Sequence, residues 1–461
     1  MKKFSPTIVQ LVYADVPNSL DAFVPEVWAA ESLMILENNM VAASLVHRDF
    51  SPDIANFGDT INTRLPAEFT AERKVDADSV TIQAADATNV PVVLNQHLHT
   101  SFLIKDGEES KGFKSLRDLY LEPALLSISQ QMDQIVLGQK YEFIGNVVGQ
   151  LATTPTRKLL IDAEIKMDDL KVPTARRNMI ISPTTKGDLL NIDDFIHAEK
   201  RGDGGTALRE GSLGRVFGFD TYMDQNQKTI AATDVLTRAV NNASGYAAGS
   251  TSIAWDGSGG TPVAGSWLTI AGDMTPQFIT SVGTPFVISP GLANAVADDA
   301  VITVYEPAII NLGAGYAAAH AKDMVVDSAT LPPRLGQMLT TGVTTGTRNE
   351  YGGIGSSASP STTSILANRP LDAAVADDAV VGLGPAGSYS WAFDRMCMSL
   401  VTRPLALPAN GLALSGVQSH NGIGIRVVIT YDGSLQGHLV TVDLLAGVKT
   451  LDSNRGCLVL S

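Results

Sequence analysis

Apolar positions change period several times along the chain, and each change marks a different kind of element. Residues 4–48 carry Val24, Val27, Trp28, Leu33, Ile35, Leu36, Met40, Val41 and Leu45 at near-helical spacing after Pro25. This predicts an N-terminal arm with a helix that packs on its own domain or on a neighbour. From Asn56 the period drops to two: 58–65 alternates, 68–78 is charged, and 79–82 and 90–104 alternate again. The pattern predicts a long two-stranded ribbon with a polar tip, and a ribbon of that kind is marginal in water without a partner surface. Helical spacing returns from Phe113 to Gln139, with Leu116, Leu125, Ile128, Met132, Ile135 and Val136 facing inward. Pro123 should kink or restart that helix, and Gly138 marks its end. A second amphipathic helix is expected from about Thr156 to Leu170 through Leu159, Leu160, Ala163 and Met167.

Arg176 to Met223 reads as a strand, a helix, a glycine turn and a second strand. Asn178 to Ile181 is a short apolar run closed by Ser182-Pro183, which suits a buried strand. Thr184 and Thr185 are placed to cap a helix carrying Leu189, Leu190, Ile192, Phe195 and Ile196, which 202–205 ends. Gly211, Gly214 and Gly218 permit tight backbone, and Val216, Phe217 and Phe219 lead into a strand ending at Met223.

After Asp224 a comparable apolar core does not return until about Trp391. Between them, 229–388 is rich in Gly, Ala, Ser and Thr and nearly devoid of Lys and Arg. Ala295-Val-Ala-Asp-Asp-Ala-Val recurs as Ala374-Val-Ala-Asp-Asp-Ala-Val, each downstream of a Gly-x-[Trp/Met]-Leu-Thr start, Gly265 to Thr269 and Gly336 to Thr340. Two related β units follow, the second with a longer loop at 341–364, as a small barrel or sandwich inserted into a parent domain. Both ends of an insertion return to one seam, so residues near Lys228 and Tyr389 should lie close together. Farther on, Ile423 to Tyr431 alternates, Asp432-Gly433 is a hairpin signal, and Leu439 to Leu445 is its partner strand.

Composition narrows the function classes. With 461 residues the chain exceeds one hydrophobic core, and a formal charge of -15 argues against gripping nucleic acid through a basic surface. Cys397 and Cys457 sit far apart in apolar segments and read as buried thiols of a reduced compartment. Ser5-Pro6, Gln10 and Asp15 break the apolar stretch a secretory leader needs, and no run is long enough for a membrane-spanning helix. Candidate chemistry is sparse. His97-x-His99 places two imidazoles on one strand face, yet a metal site takes three or four ligands. Gly202-x-Gly204 follows a helix and reads as a turn. Asp298-Asp299 and Asp377-Asp378 are mirrored carboxylate pairs, read as turn residues rather than cation ligands. Asp168-Asp169 and Asp193-Asp194 read as exposed helix positions, and Arg176-Arg177 as partners in ion pairs within the domain or between subunits. No catalytic, cofactor-binding or metal residue is assigned, and an enzyme is not expected.

The order of arm, ribbon, long helix and strand-helix-glycine-strand unit resembles the major capsid proteins of tailed phages, which share the Hong Kong 97 capsid fold. The local matches are Arg177-Asn-Met-Ile-Ile-Ser-Pro with Gly211-x-x-Gly-x-x-x-Gly-Phe, and Trp391-Ala-Phe-Asp and Val401-Thr-Arg-Pro-Leu with Val442-Asp-Leu-Leu-Ala-Gly-Val-Lys. The resemblance implies an α+β fold: N-terminal arm 1–57, E-loop 58–106, peripheral domain with spine helix 107–175, and first half of the axial domain 176–228. An inserted β-rich domain with internal duplication then occupies 229–388, in the position of the insertion domain of one subgroup, and 389–461 returns through the axial and peripheral domains. It further implies a protein made in the bacterial host cytoplasm that self-assembles, as hexamers and pentamers, into the icosahedral shell of a virion. Its partners would be a scaffolding protein, a portal, a decoration protein and packaged DNA without sequence-specific contact; no cofactor and no membrane are expected. The alternatives are an encapsulin-like bacterial compartment shell or, from another class, a β-rich adhesin or carbohydrate-binding protein.

Overall fold

The computed structural model describes residues 29, 32–36, 40–48, 60–64, 71–74, 82, 89–109, 116–196, 210–231, 235–257, 261–318, 323–327, 334–341, 350–355, 363–371, 373–408, 413–420 and 422–461. They fall into two compact units. One holds the described residues of Met1–Asn39, His97–Ser129 and Thr402–Leu445, the other those of Met40–Gln96, Gln130–Val401 and Ala446–Ser461. The contact pattern does not set 229–388 apart from the second unit.

That second unit is built on a six-stranded sheet in the order Val147–Gly149, Gly456–Leu460, Tyr389–Asp394, Arg177–Ile181, Phe219–Met223, Arg215–Val216. Both faces are covered, which is why the central strands read as unbroken apolar runs. On one face Met179, Ile181, Phe219, Ala392 and Val459 form a core with Leu159, Leu160, Ala163 and Met167 of the helix Arg157–Asp169. On the other, Trp391 lies 5.7 Å from Phe143 and Tyr389 5.5 Å from Tyr141, ring centre to ring centre. Arg177–Ile181 runs parallel to Phe219–Met223 and antiparallel to Tyr389–Asp394, so the sheet begun at Arg177 is continued by the apolar segment that returns at about Trp391.

Several boundaries differ from the sequence expectation for local reasons. The helix after Ile181 spans only Pro183–Leu190, with Asp193–Ile196 a separate turn, and its cap is Ser182, whose Oγ accepts the Thr185 N–H at 3.1 Å. Pro183 then takes the first helical position, where no N–H is needed. Gly211, Gly214 and Gly218 all have positive φ, as expected. Phe217 shares it at 44°, so the anticipated single strand is instead a hairpin turning at Phe217-Gly218. The long helix spans Leu116–Gln139 and passes through Pro123 without restarting; a 3-10 segment, Lys140–Gly145, follows. The arm helix expected after Pro25 is seen only at 29 and 32–36, with a short helix at Ala42–Leu45; residues 1–28 and 37–39 lie outside the described residues, as do 202–205.

Thr60–Arg64 and Asn89–Val93 pair antiparallel as a two-stranded ribbon, with Thr60 opposite Val93. Most of its polar tip lies outside the described residues. The alternating stretch 90–104 is not one strand: pairing stops at Val93 and a new strand, Gln96–Lys105, joins Gly437–Thr450. In the first unit Leu414–His420, Ile423–Asp432 and Gly437–Leu445 form a meander on which that strand lies. Its hairpin closes through 433–436 rather than at Asp432-Gly433, because Asp432 is still in the ladder opposite Gly437 and its carboxylate accepts the Ser434 N–H.

Residues 235–383 form two closed barrels rather than one. In the first, the strand order runs Trp255–Asp256, Val235–Val240, Val301–Tyr305, Trp267–Ile270, Asp273–Ser281, Phe286–Ser289, Ser252–Ile253. The two outer strands are consecutive pieces of one kinked segment, so the sheet closes on itself and has no free edge. The second barrel repeats the ladder pair by pair. Val240 opposite Trp255 becomes Ile310 opposite Val326, and Ile253 opposite Phe286 becomes Met324 opposite Ile365. Leu268 opposite Val304 becomes Leu339 opposite Leu383, and Ile279 opposite Ile288 becomes Ile354 opposite Ala367. Each has its own core, around Val240, Leu268, Ile279 and Phe286 in one and Ile310, Leu339, Ile354 and Ile365 in the other.

The heptapeptide repeat is explained by this closure. Asp298 accepts the Asn242 N–H at 2.9 Å and Asp377 the Leu312 N–H at 2.8 Å, while Asp299 and Asp378 adopt φ of 59° and 58°. Tyr246 and Tyr316 hydroxyls accept the N–H of Ala254 and Val325. Gly245 and Gly315 precede those tyrosines because a Cβ there would sit 2.3 Å from the Val296 or Val375 carbonyl oxygen. A Gly-Tyr-Ala-Ala repeat at 245–248 and 315–318 thus shows that each unit extends well before Gly265 and Gly336, its first strand lying upstream again at Val235–Val240 and Ala308–Ile309. Because the same turn is built twice, Asp298→Ala and Asp377→Ala should each cost about 1 kcal/mol in chemical denaturation. A loss in one copy and none in the other would break the equivalence.

Candidate functional site

The feature on which most elements converge is the seam where the chain leaves for the barrels and comes back. Ile230 and Gly387 exchange both backbone hydrogen bonds, at 2.9 and 3.0 Å, and Gln227 Nε2 donates to the Tyr389 carbonyl at 2.9 Å. The expected closeness of the residues around Lys228 and Tyr389 is therefore present. Ser388 is pinned by hydroxyl contacts to Ser182 and Thr185, 3.0 and 2.8 Å, and its backbone pairs with Ser461. The cap of the helix at Pro183 and the returning chain thus share one polar cluster.

Three ionisable side chains lie buried beside it. Lys140, 4% exposed, donates to the Tyr389 carbonyl at 2.9 Å. Asp133, 1% exposed, accepts the Val41 and Ala43 N–H groups at 2.9 and 2.8 Å and so holds the start of the helix Ala42–Leu45. Asp224 ends the strand Phe219–Met223 and caps the following turn through the Asn226 N–H. Burial pushes the Asp133 carboxyl up to about 7, with the Asp224 charge adding and the backbone donors opposing. Burial pulls the Lys140 ammonium down to about 7 against the Asp224 charge. Burial likewise raises Asp224. A cleft beside them is lined by Gln134, Lys140, Gln227, Gly336 and Gly353.

Sequence reasoning missed these groups, since Asp133, Lys140 and Asp224 are brought together only by the fold. No local signal marks Lys140, which sits between Gln139 and Tyr141 in a mixed stretch that also carries Glu142. The residues it did single out are dispersed. His97 and His99 have ring centres 5.8 Å apart, and His97 lies 3.6 Å from Asp443, which Arg426 already binds through two nitrogens. Among the described residues no group of three or more His, Cys, Asp or Glu is placed to hold a metal ion. Arg177 is turned inward onto Asp168 at 2.6 Å, whereas Arg176 is exposed. Asp168, Asp169 and Asp193 are exposed helix positions as expected, Asp168 also pairing with Arg177, while Asp194 is half-buried and pairs with Arg157. Asp298 and Asp377 are spent on turn N–H groups. Gly202 and Gly204 lie outside the described residues. Cys397 and Cys457 are free and buried, and burial pushes the Cys457 thiol up to about 12. Among the described residues no helix is long and apolar enough to cross a membrane.

No protein-family model matches the sequence, and no curated protein matches it. Among solved structures, a chain of Mycobacterium phage Che8 aligns at 10% identity with a TM-score of 0.42, covering 91% of this chain and 90% of that one. The capsid of Ralstonia phage GP4 aligns at 8% identity and TM-score 0.41 over 91% and 87%. The capsid structure of the cyanophage P-SCSP1u aligns at 10% and 0.40 over 87% and 83%.

The buried charges make a specific pH signature. Between the ordinary carboxyl value of 3.8 and about 7, the folded chain keeps a proton on Asp133 that the unfolded chain has lost. Stability therefore falls as pH rises through that window. Between about 7 and 10.5 the unfolded chain keeps a proton on Lys140 that the folded chain lacks, so stability rises again. The slope of each limb approaches about 1.4 kcal/mol per pH unit for one proton. Measured against wild type across pH 4–10, Asp133→Asn should flatten the acid limb and Lys140→Met the alkaline one. Parallel wild-type and variant profiles would refute the assignment.

Proposed function

We propose that this chain is the major capsid protein of a tailed phage, built on the Hong Kong 97 fold and assembling with copies of itself into the shell around double-stranded DNA. The observation that carries the reading is the ribbon. Thr60–Arg64 and Asn89–Val93 pair only with each other among the described strands, and Val93 is 46% exposed while Val92 and Leu94 beside it are buried. A two-stranded ribbon rooted in a body but without a third strand gains its stability from another surface. The order of ribbon, long helix, and a strand-helix-strand unit completed by the returning chain supports a shell subunit over an adhesin. On this reading 58–106 is the E-loop, 113–139 the spine helix, and the twin barrels an insertion into the axial domain. The seam is structural, so no catalytic role is assigned to it; scaffold, portal and decoration proteins are its expected partners.

Negative-stain microscopy of the expressed protein, alone and with its scaffold, tests this directly. Uniform closed shells or capsomer rings are expected, and a dispersed monomer in every salt and scaffold condition would overturn it. Co-purifying DNA or scaffold separates a phage shell from a bacterial compartment shell, which would carry an enzyme cargo. Replacing 66–86 by a short turn should abolish assembly and leave a soluble subunit with an unchanged melting temperature. Unfolding of that variant would show that the ribbon packs on its own subunit.

A further inference from the structure

We infer that Gly138 and Asn368 form a registration key: the second barrel fixes where the long helix ends and thereby holds Lys140 in the seam. The Asn368 carboxamide lies against the helix at Gly138. Its Nδ2 donates to the Gln134 and Ile135 carbonyls at 3.0 and 3.4 Å, and its Oδ1 accepts the Gly353 N–H at 3.0 Å. One amide therefore ties the last turns of the helix to a barrel strand. The contact exists only because residue 138 has no side chain: a Cβ there would fall 1.6 Å from Asn368 Nδ2 and 2.4 Å from its Cγ. The close approach continues to Gly353, whose own Cβ would meet the Gly138 Cα at 3.2 Å.

Glycine in a helix interior costs about 1 kcal/mol relative to alanine, so this one is explained by the approach it allows. Two residues beyond it the helix gives way to the 3-10 segment that begins with Lys140. Tyr141 in that segment donates to the Gly336 carbonyl of the same barrel at 2.6 Å, and Arg369 lies 3.7 Å from Glu142. The barrel thus grips both sides of Lys140 along the chain. In the first barrel the position equivalent to Asn368 is Ser289 and that equivalent to Arg369 is Pro290, so the duplicated modules have diverged at this contact. The second copy alone carries the key.

The test uses the full chain and reads Lys140 itself. Native-state acylation by an N-hydroxysuccinimide ester, quantified by mass spectrometry, should leave Lys140 protected and label the exposed Lys158, which serves as reference. Gly138→Ala and Asn368→Ala should each raise Lys140 labelling about tenfold while far-ultraviolet circular dichroism stays that of the native fold. The paired variant Gly138→Ala with Asn368→Gly removes the clash and should label less than Gly138→Ala alone. If Gly138→Ala does not fold, folding of the paired variant with Lys140 labelling raised above wild type, as in Asn368→Ala, supports the key, because the clash is then relieved and the carboxamide tie is still missing. Unchanged Lys140 protection in Asn368→Ala, or a Gly138→Ala protein with wild-type stability and protection, would overturn it. None of these readouts depends on shell assembly, so the key and the capsid reading fail separately.

Discussion

The constraint on which the rest depends is that a chain leaving a sheet after Met223 and rejoining it at Tyr389 must come back to the same place. Tyr389–Asp394 is a central strand, flanked by Arg177–Ile181 and Gly456–Leu460, so the sheet is incomplete until the chain has returned. Several polar groups at the seam serve that return. Gln227 and Lys140 both donate to one carbonyl, that of Tyr389, and Ser388 completes the hydroxyl cluster of the helix cap. These contacts pair residues more than 150 positions apart, a separation whose loop-closure cost grows only slowly with length, and the barrels close on themselves without free edges between the two ends of the seam.

The seam also explains why charged groups are tolerated in its core. A buried ammonium or carboxylate is costly unless it is hydrogen-bonded. Lys140 finds a carbonyl and Asp133 two N–H groups, which compensate partly and leave both near the midpoint of their titrations at neutral pH. Hydrophobic residues of similar volume would be cheaper to bury, but they would not define which carbonyl meets which helix end. The identity of these residues is better understood as specifying one arrangement than as adding stability.

Much of the fold was legible in the sequence where the signal was local. Leu159, Leu160, Ala163 and Met167 face one core at the spacing the pattern gave, and Gly211, Gly214 and Gly218 take the positive φ that glycine is there to supply. What was not legible depended on distant partners. The alternation at 90–104 continues across Leu94-Asn95, yet the two halves pair with different strands, since period alone says nothing about partner. Two barrels were hidden behind a short repeat because closure rests on a kink at 252–256 in the first and on two isolated bridges in the second, Ile310 opposite Val326 and Ile354 opposite Ala367, none of which has a sequence signature. The buried charges at 133, 140 and 224 were silent for the same reason.

Duplication gives two bodies with the same internal requirements and different external ones. Inside each barrel the tyrosine, the paired aspartates and the preceding glycine are kept because the turn needs all of them at once. Outside, the two copies differ. Trp267 of the first presents its indole N–H to Thr340 of the second at 3.1 Å, while the position equivalent to Trp267 in the second is Met338, packed against Gly384. The interface between the barrels is therefore unequal on its two sides even though the ladders beneath it match residue for residue. A closed barrel whose core is self-sufficient leaves its outer surface free to change, and in this chain one copy has turned that freedom into a fixed contact with the long helix.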